Sequence, residues 1–157
     1  NISHSDYKIF DFEDWRDSLE NIKKQYAKQS PIILIGHSGG GSNAVKTAKI
    51  LDKVDVPVGL LLIDSTHLKS KKYFPPIVEG IQDDFTIPFN VYHVENYATD
   101  GPFEGRKLTE KDFANPKTTF RNHYIKGNHL EVLKPEHTSK YIESINRIIA
   151  EYQNINN

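Results

Sequence analysis

Residues 36–41 read Gly-His-Ser-Gly-Gly-Gly and directly follow an apolar run, Ile32–Ile35. The stretch fits G-x-S-x-G, a pattern in which a serine stands on a sharp strand-to-helix turn in a strained backbone conformation. Small residues around it let strand and helix pass closely, and Gly39, Gly40, Gly41, Ser42 and Ala44 are all small. Such a turn leaves the Gly39 amide at a helix N-terminus, where it can donate to an oxyanion. Phosphate binding is the competing chemistry, and the residues argue against it. A Walker loop running from Gly36 to Gly41 needs Lys and then Ser or Thr, but positions 42 and 43 are Ser and Asn. A dinucleotide fingerprint needs a second glycine where Ser38 stands.

A serine hydroxyl is a weak nucleophile until a base takes its proton, and the base needs an acid to orient it. Strand–turn–helix serine sites order these as Ser, acid, His. Of seven histidines, His4 precedes the serine and His37 lies inside the turn. His129, in "YIKGNHLEVLKPEH", is the preferred base, because its loop joins the last expected strand to the closing helix. His123 and His137 rank next, His67 and His93 last. The preferred acid is Asp64, which ends the run "GLLLID"; its plain alternative is a cap on the Ser65 or Thr66 amide. Glu95 and Asp100 follow the next strand as competing acids.

The elements that must position these residues are read from periodicity. "YKIFDF" at 7–12 reads as a short strand, and Trp15, Leu19, Ile22 and Tyr26 mark one face of a helix. Ile32–Ile35 and "VGLLLID" are apolar throughout, as parallel strands covered on both faces are. Between them Ala44, Val45, Ala48 and Leu51 mark a helix. A short helix is expected around 77–81, a strand at Phe89–Val94, a long irregular segment at 96–122, and a last strand at 123–126. Thr138 is the expected cap of a closing helix carrying Tyr141, Ile142, Ile145, Ile148, Ile149 and Tyr152. Strands alternating with helices imply an α/β fold with a mostly parallel sheet flanked by helices. A chain of 157 residues is read as one domain, 1–157.

Composition narrows the function classes. Twenty basic against twenty-one acidic residues give a net charge of −1, so no long-range field gathers nucleic acid. The cluster Lys69, Lys71, Lys72 reads as a solvated loop. No apolar run has the length of a membrane span. With no cysteine there are no disulfides or thiolate metal sites, and no residue pattern calls for a metal or cofactor. The chain starts at Asn1 and has no methionine, which reads as a processed product or a piece of a longer chain.

With "YKIFDF", "IILIGHSGGGSNAVKTAKIL", "GLLLIDS" and "GNHLEVLK", the sequence from Tyr7 to about Tyr152 resembles the α/β-hydrolase superfamily, in its thioesterase-like branch. The resemblance implies a minimal three-layer sandwich. In type I thioesterases of peptide and polyketide synthesis the acid commonly follows the strand after the elbow helix, which maps onto Asp64, 26 residues past Ser38 (64 − 38 = 26). The histidine of a G-x-H loop maps onto His129. The family has three further strands before the position of "YKIFDF", and the loop after the third supplies a second oxyanion donor. Residues 1–6 do not match them, so the expectation is either another chain or segment supplying those strands, or a minimal version with a different donor.

The leading expectation is a serine hydrolase of an ester or thioester, with Ser38, His129 and Asp64 catalytic and Gly39 at the oxyanion. An acyltransferase would use the same residues. The alternative is a non-catalytic binding domain that uses the 96–122 segment, with Tyr97, Phe103, Phe113 and Phe120, as its partner surface.

Overall fold

The computed structural model describes residue 22 and residues 31–65, 86–100 and 107–156. In chain order these form β1 (Ile32–His37), α1 (Gly39–Asp52), β2 (Val58–Ile63), β3 (Val91–Ala98), β4 (Thr119–Tyr124) and α2 (Thr138–Ile155). Single turns of 3-10 helix lie at Glu110–Asp112, Glu131–Leu133 and Pro135–His137. The four strands form one sheet in the order β1-β2-β3-β4, and every pairing is parallel. This is the expected α/β architecture. The strand at 7–12 and the helix at 77–81 lie outside the described residues, as does the 13–27 helix except for Ile22, which is helical and packs on the core.

The apolar character of β2 follows from its place. All its residues are buried, because α1 covers one face of the sheet and α2 the other. Val58, Leu60 and Leu62 point toward α1 and pack with Ala44, Val45, Ala48, Leu51, Ile87, Val91 and Val94. Leu61 and Ile63 point the other way and pack with Tyr97, Ile125, Val132 and Ile148. Each fully buried Leu or Ile contributes roughly 1.5–3 kcal/mol relative to exposure, so the two-sided burial of β2 anchors the whole sheet.

β3 is longer and later than expected. It starts at Val91 because Phe89 and Asn90 form a turn, in which Asn90 donates to Asp52 Oδ1 (2.8 Å) and to the carbonyls of Ala48 (3.1 Å) and Val56 (2.7 Å). It continues through Glu95, Asn96 and Tyr97 to Ala98, residues that read as the start of an irregular loop. These polar side chains are buried and bonded across the sheet: Asn96 Nδ2, for instance, donates to Asn122 Oδ1 on β4 (2.9 Å). β4 likewise runs from Thr119 to Tyr124 rather than 123–126, with half-exposed residues that hide its strand character. An extra residue in β3 opposite Val58–Gly59 bulges the strand and turns both Tyr92 and His93 toward α2.

Two further expectations are adjusted. Among the described residues of 96–122, Tyr97 is buried and Phe113 stacks on Phe120 (4.7 Å), both partly buried against the core, so these three rings do not form the expected exposed aromatic surface. Phe103 lies outside the described residues. Thr138 is the first residue of α2 rather than its cap, and the side chain before it, His137, makes no capping bond either. Ile142 is exposed, and the inner face of α2 instead carries Ser144 between Tyr141, Ile145 and Ile148. Among the described residues no helix is long and apolar enough to cross a membrane.

Candidate active site

The residues with chemical potential gather at the C-terminal edge of the sheet, where parallel strands hand their chains to loops. Ser38 follows β1 with φ 55° and ψ −128°, a backbone conformation that L-residues rarely hold. The turn is fixed on both sides: the Ser38 amide donates to the Ile63 carbonyl (3.1 Å), and the Gly41 amide donates to the Ser38 carbonyl (3.0 Å).

The glycines around it do different jobs. A Cβ on Gly36 would come within 2.5 Å of the Gly40 carbonyl oxygen, and one on Gly41 within 1.8 Å of Ser65 Oγ. At both places β1, α1 and the end of β2 touch backbone to backbone or nearly so. A Cβ on Gly40 would meet nothing within 4 Å. Close approach therefore explains Gly36 and Gly41 and leaves Gly40 unexplained by packing. Ser65, wholly buried, completes the wedge by donating to the Gly36 carbonyl (3.4 Å).

Asp64 sits at the end of β2, wholly buried and at φ 43°. Aspartate is among the side chains that tolerate this left-handed region. Its amide donates to the Tyr97 carbonyl (2.8 Å), and its Oδ1 accepts both the Thr99 hydroxyl (2.9 Å) and the Thr99 amide (3.2 Å). Oδ2 is left for His129 Nδ1, 2.5 Å away. A carboxylate only accepts, so Nδ1 carries the hydrogen and Nε2 is the ring's basic nitrogen.

The His129 loop is built to make that bond. Gly127 has φ 131°, a glycine conformation, and its carbonyl accepts the Asp100 amide (3.1 Å). Asn128 then turns the chain, its Oδ1 accepting the amides of Leu130 (3.0 Å) and Glu131 (3.3 Å). Farther on, the Tyr141 hydroxyl of α2 donates to the Val132 carbonyl (2.6 Å). Together these bonds anchor the loop at both its ends.

His37 completes the cluster. Its ring stacks on that of His129, with centroids 4.7 Å apart and 24° between planes. Burial first, and the positive charge His129 would carry second, hold the His37 pKa below the ordinary histidine value. A hydrogen bond to the His129 backbone and the nearby Asp64 act in the opposite direction.

The structure thus joins Asp64 to His129 and sets the His129 ring against the residue preceding Ser38. The competing acids are placed elsewhere. Asp100 is exposed. Glu95 is wholly buried under α2, where His93 Nε2 (2.8 Å), His123 Nε2, Ser144 (3.0 Å) and Arg147 (2.9 and 3.0 Å) surround it. Burial opposes its charge, but bonds from His93, Arg147, His123 and Ser144 outweigh that and hold its pKa far below the usual carboxylate range. His93 and His123 are committed to this network, and His137 lies in the turn before α2. His4 and His67 lie outside the described residues.

Sequence reasoning missed Thr99 and Asn128. Thr99 was legible only with the true end of β3: once Ile63 pairs with Tyr97, residue 64 falls level with residue 98, and Thr99 stands one place beyond it. Asn128 carried a usable signal, an Asn directly after Gly and two residues before an amide it can cap.

The fold is similar to that in the crystal structure of human thioesterase 2, with a TM-score of 0.63. The match covers 98% of this chain and 87% of that chain at 14% identity, so it shows a shared, thioesterase-like fold. No protein-family model matches the sequence, and no curated protein matches it.

Proposed function

We propose that the protein is a serine hydrolase of esters or thioesters, working through Ser38, His129 and Asp64. The observation that carries this reading is the Asp64–His129 bond, made by an acid that Thr99 holds on its other oxygen. Ser38, at φ 55° between β1 and α1, has the backbone that a nucleophile elbow requires.

In this reading Ser38 Oγ attacks the acyl carbon while its proton passes to His129 Nε2. The carbonyl π electrons move onto oxygen, and the Gly39 amide at the start of α1 donates to that oxyanion. Collapse of the intermediate expels the alkoxide or thiolate, which takes the proton from His129, and leaves an acyl-serine. Water then attacks the acyl carbon, giving its proton to His129. The second collapse releases the acid and returns that proton to Ser38. Asp64 stays ionised throughout, holding the imidazole in its tautomer and balancing the imidazolium. The fold shared with a thioesterase supports a thioester among the substrates.

The test is intact mass after incubation with a fluorophosphonate. Wild type is expected to gain one adduct, and Ser38→Ala and His129→Ala none. Unlabelled wild type, or labelling that survives Ser38→Ala, would overturn the proposal.

A further inference from the structure

The pattern G-x-S-x-G leaves the residue before the serine unspecified, and here it is His37, an imidazole lying against that of His129. We infer that His37 is a positioning residue for His129, holding the plane of the base by ring stacking so that Nε2 stays aligned with Ser38. The inference rests on the hydrolase reading of the site for its catalytic consequence.

The geometry supports it from several sides. His37 is the last residue of β1 and shares the strand face of Ile33, which packs on the α2-side core, and of Ile35, which is exposed. Its backbone is therefore fixed by the sheet, through its pairing with Ile63. His129, by contrast, sits in a loop between a glycine at φ 131° and a single 3-10 turn, with 20% of its side chain exposed. The bond from Nδ1 to Asp64 fixes one point of the imidazole but leaves rotation about that point. A flat ring 4.7 Å away and nearly parallel removes that freedom.

Stacking also suits the chemistry, because a neutral aromatic face tolerates the cation that forms on His129 during turnover, and a charged neighbour would not. His37 meets that condition where it stands: burial and the adjacent imidazole both disfavour its protonation. Two histidines in contact thus divide the work, one carrying the proton and the other a neutral support.

The experiment compares wild type, His37→Ala and His37→Phe by fluorophosphonate labelling rate and by proton NMR of the Nδ1–H that His129 gives to Asp64. His37→Ala is expected to slow labelling by about a hundredfold, the usual cost of a misplaced catalytic group, and to broaden or erase the Nδ1–H signal. His37→Phe keeps a flat ring without a titrating nitrogen, and it is expected to restore most of the rate and the signal. Wild-type rate and signal in His37→Ala would overturn the positioning role and leave the hydrolase reading standing. Failure of His37→Phe to rescue either readout would also overturn stacking as the cause. If wild type does not label, the hydrolase reading falls and with it the catalytic role of His37. Loss and rescue of the NMR signal would then still report that the stack orders His129.

Discussion

At the scale of single residues, the site depends on Asp64 having one use for each oxygen. Oδ1 is occupied by Thr99, so only Oδ2 faces His129. Replacing Asp64 with Asn puts an amide where an acceptor is required, and the imidazole then turns its hydrogen toward Ser38. The expected outcome is a folded protein whose esterase rate, measured with an activated ester, falls by about four orders of magnitude. A rate within tenfold of wild type would show that Asp64 does not orient the base. That Asp64 and His129 meet agrees with the chain order and local pattern from which both were chosen as candidates. Thr99 was not legible in that way, because its partner is 35 positions away and they meet only through the pairing of β2 with β3.

At the scale of elements, three consecutive glycines that look alike in sequence separate into different roles. Gly41 faces Ser65 and has no room, whereas Gly40 faces open space. Gly41→Ala is expected to cost about 3 kcal/mol or more in a urea melt, because the wedge between α1 and β2 must open. Gly40→Ala is expected to leave stability unchanged or raise it by about 0.5–1 kcal/mol, since alanine favours a helix. Equal effects at the two positions would contradict this division. Element limits were harder to read than element types. β1, α1 and β2 announce themselves because burial on one or two faces makes them apolar in the right period. β3 and β4 carry His93, Glu95, Asn96, Asn122 and His123, polar residues that satisfy one another across the pair and so look like loop.

At the scale of the whole molecule, Glu95 joins α2 to the sheet. Arg147 of α2 forms two bonds to it, Ser144 a third, and the two strand histidines the rest. The carboxyl is held below its ordinary 4.5 in the folded state. Its stabilisation is therefore complete above that value and drains away as pH falls below it toward the lower folded value. His37 acts in the same direction, since the unfolded chain takes up its proton near 6.5 before the folded one does. Urea midpoints are expected to decline steadily from neutral pH into acid. Glu95→Gln, which removes the buried counter-charge that Arg147 bonds twice, is expected to lower stability at pH 7 by about 3–5 kcal/mol and to flatten the acid decline. An unchanged acid limb in that variant would move the cause elsewhere.

Because the strands lie side by side in the order of their synthesis, the sheet can be laid down like courses of brick as the chain emerges, each strand finding the previous one already in place. Ser38 and its strained turn belong to the first course, Asp64 to the second, Thr99 to the third, and His129 arrives only after the fourth. The guanidinium that neutralises Glu95 comes later still, on α2. A nascent chain would thus carry Ser38 long before His129, so the activity proposed above would be switched on only by the same closing segment that locks the fold.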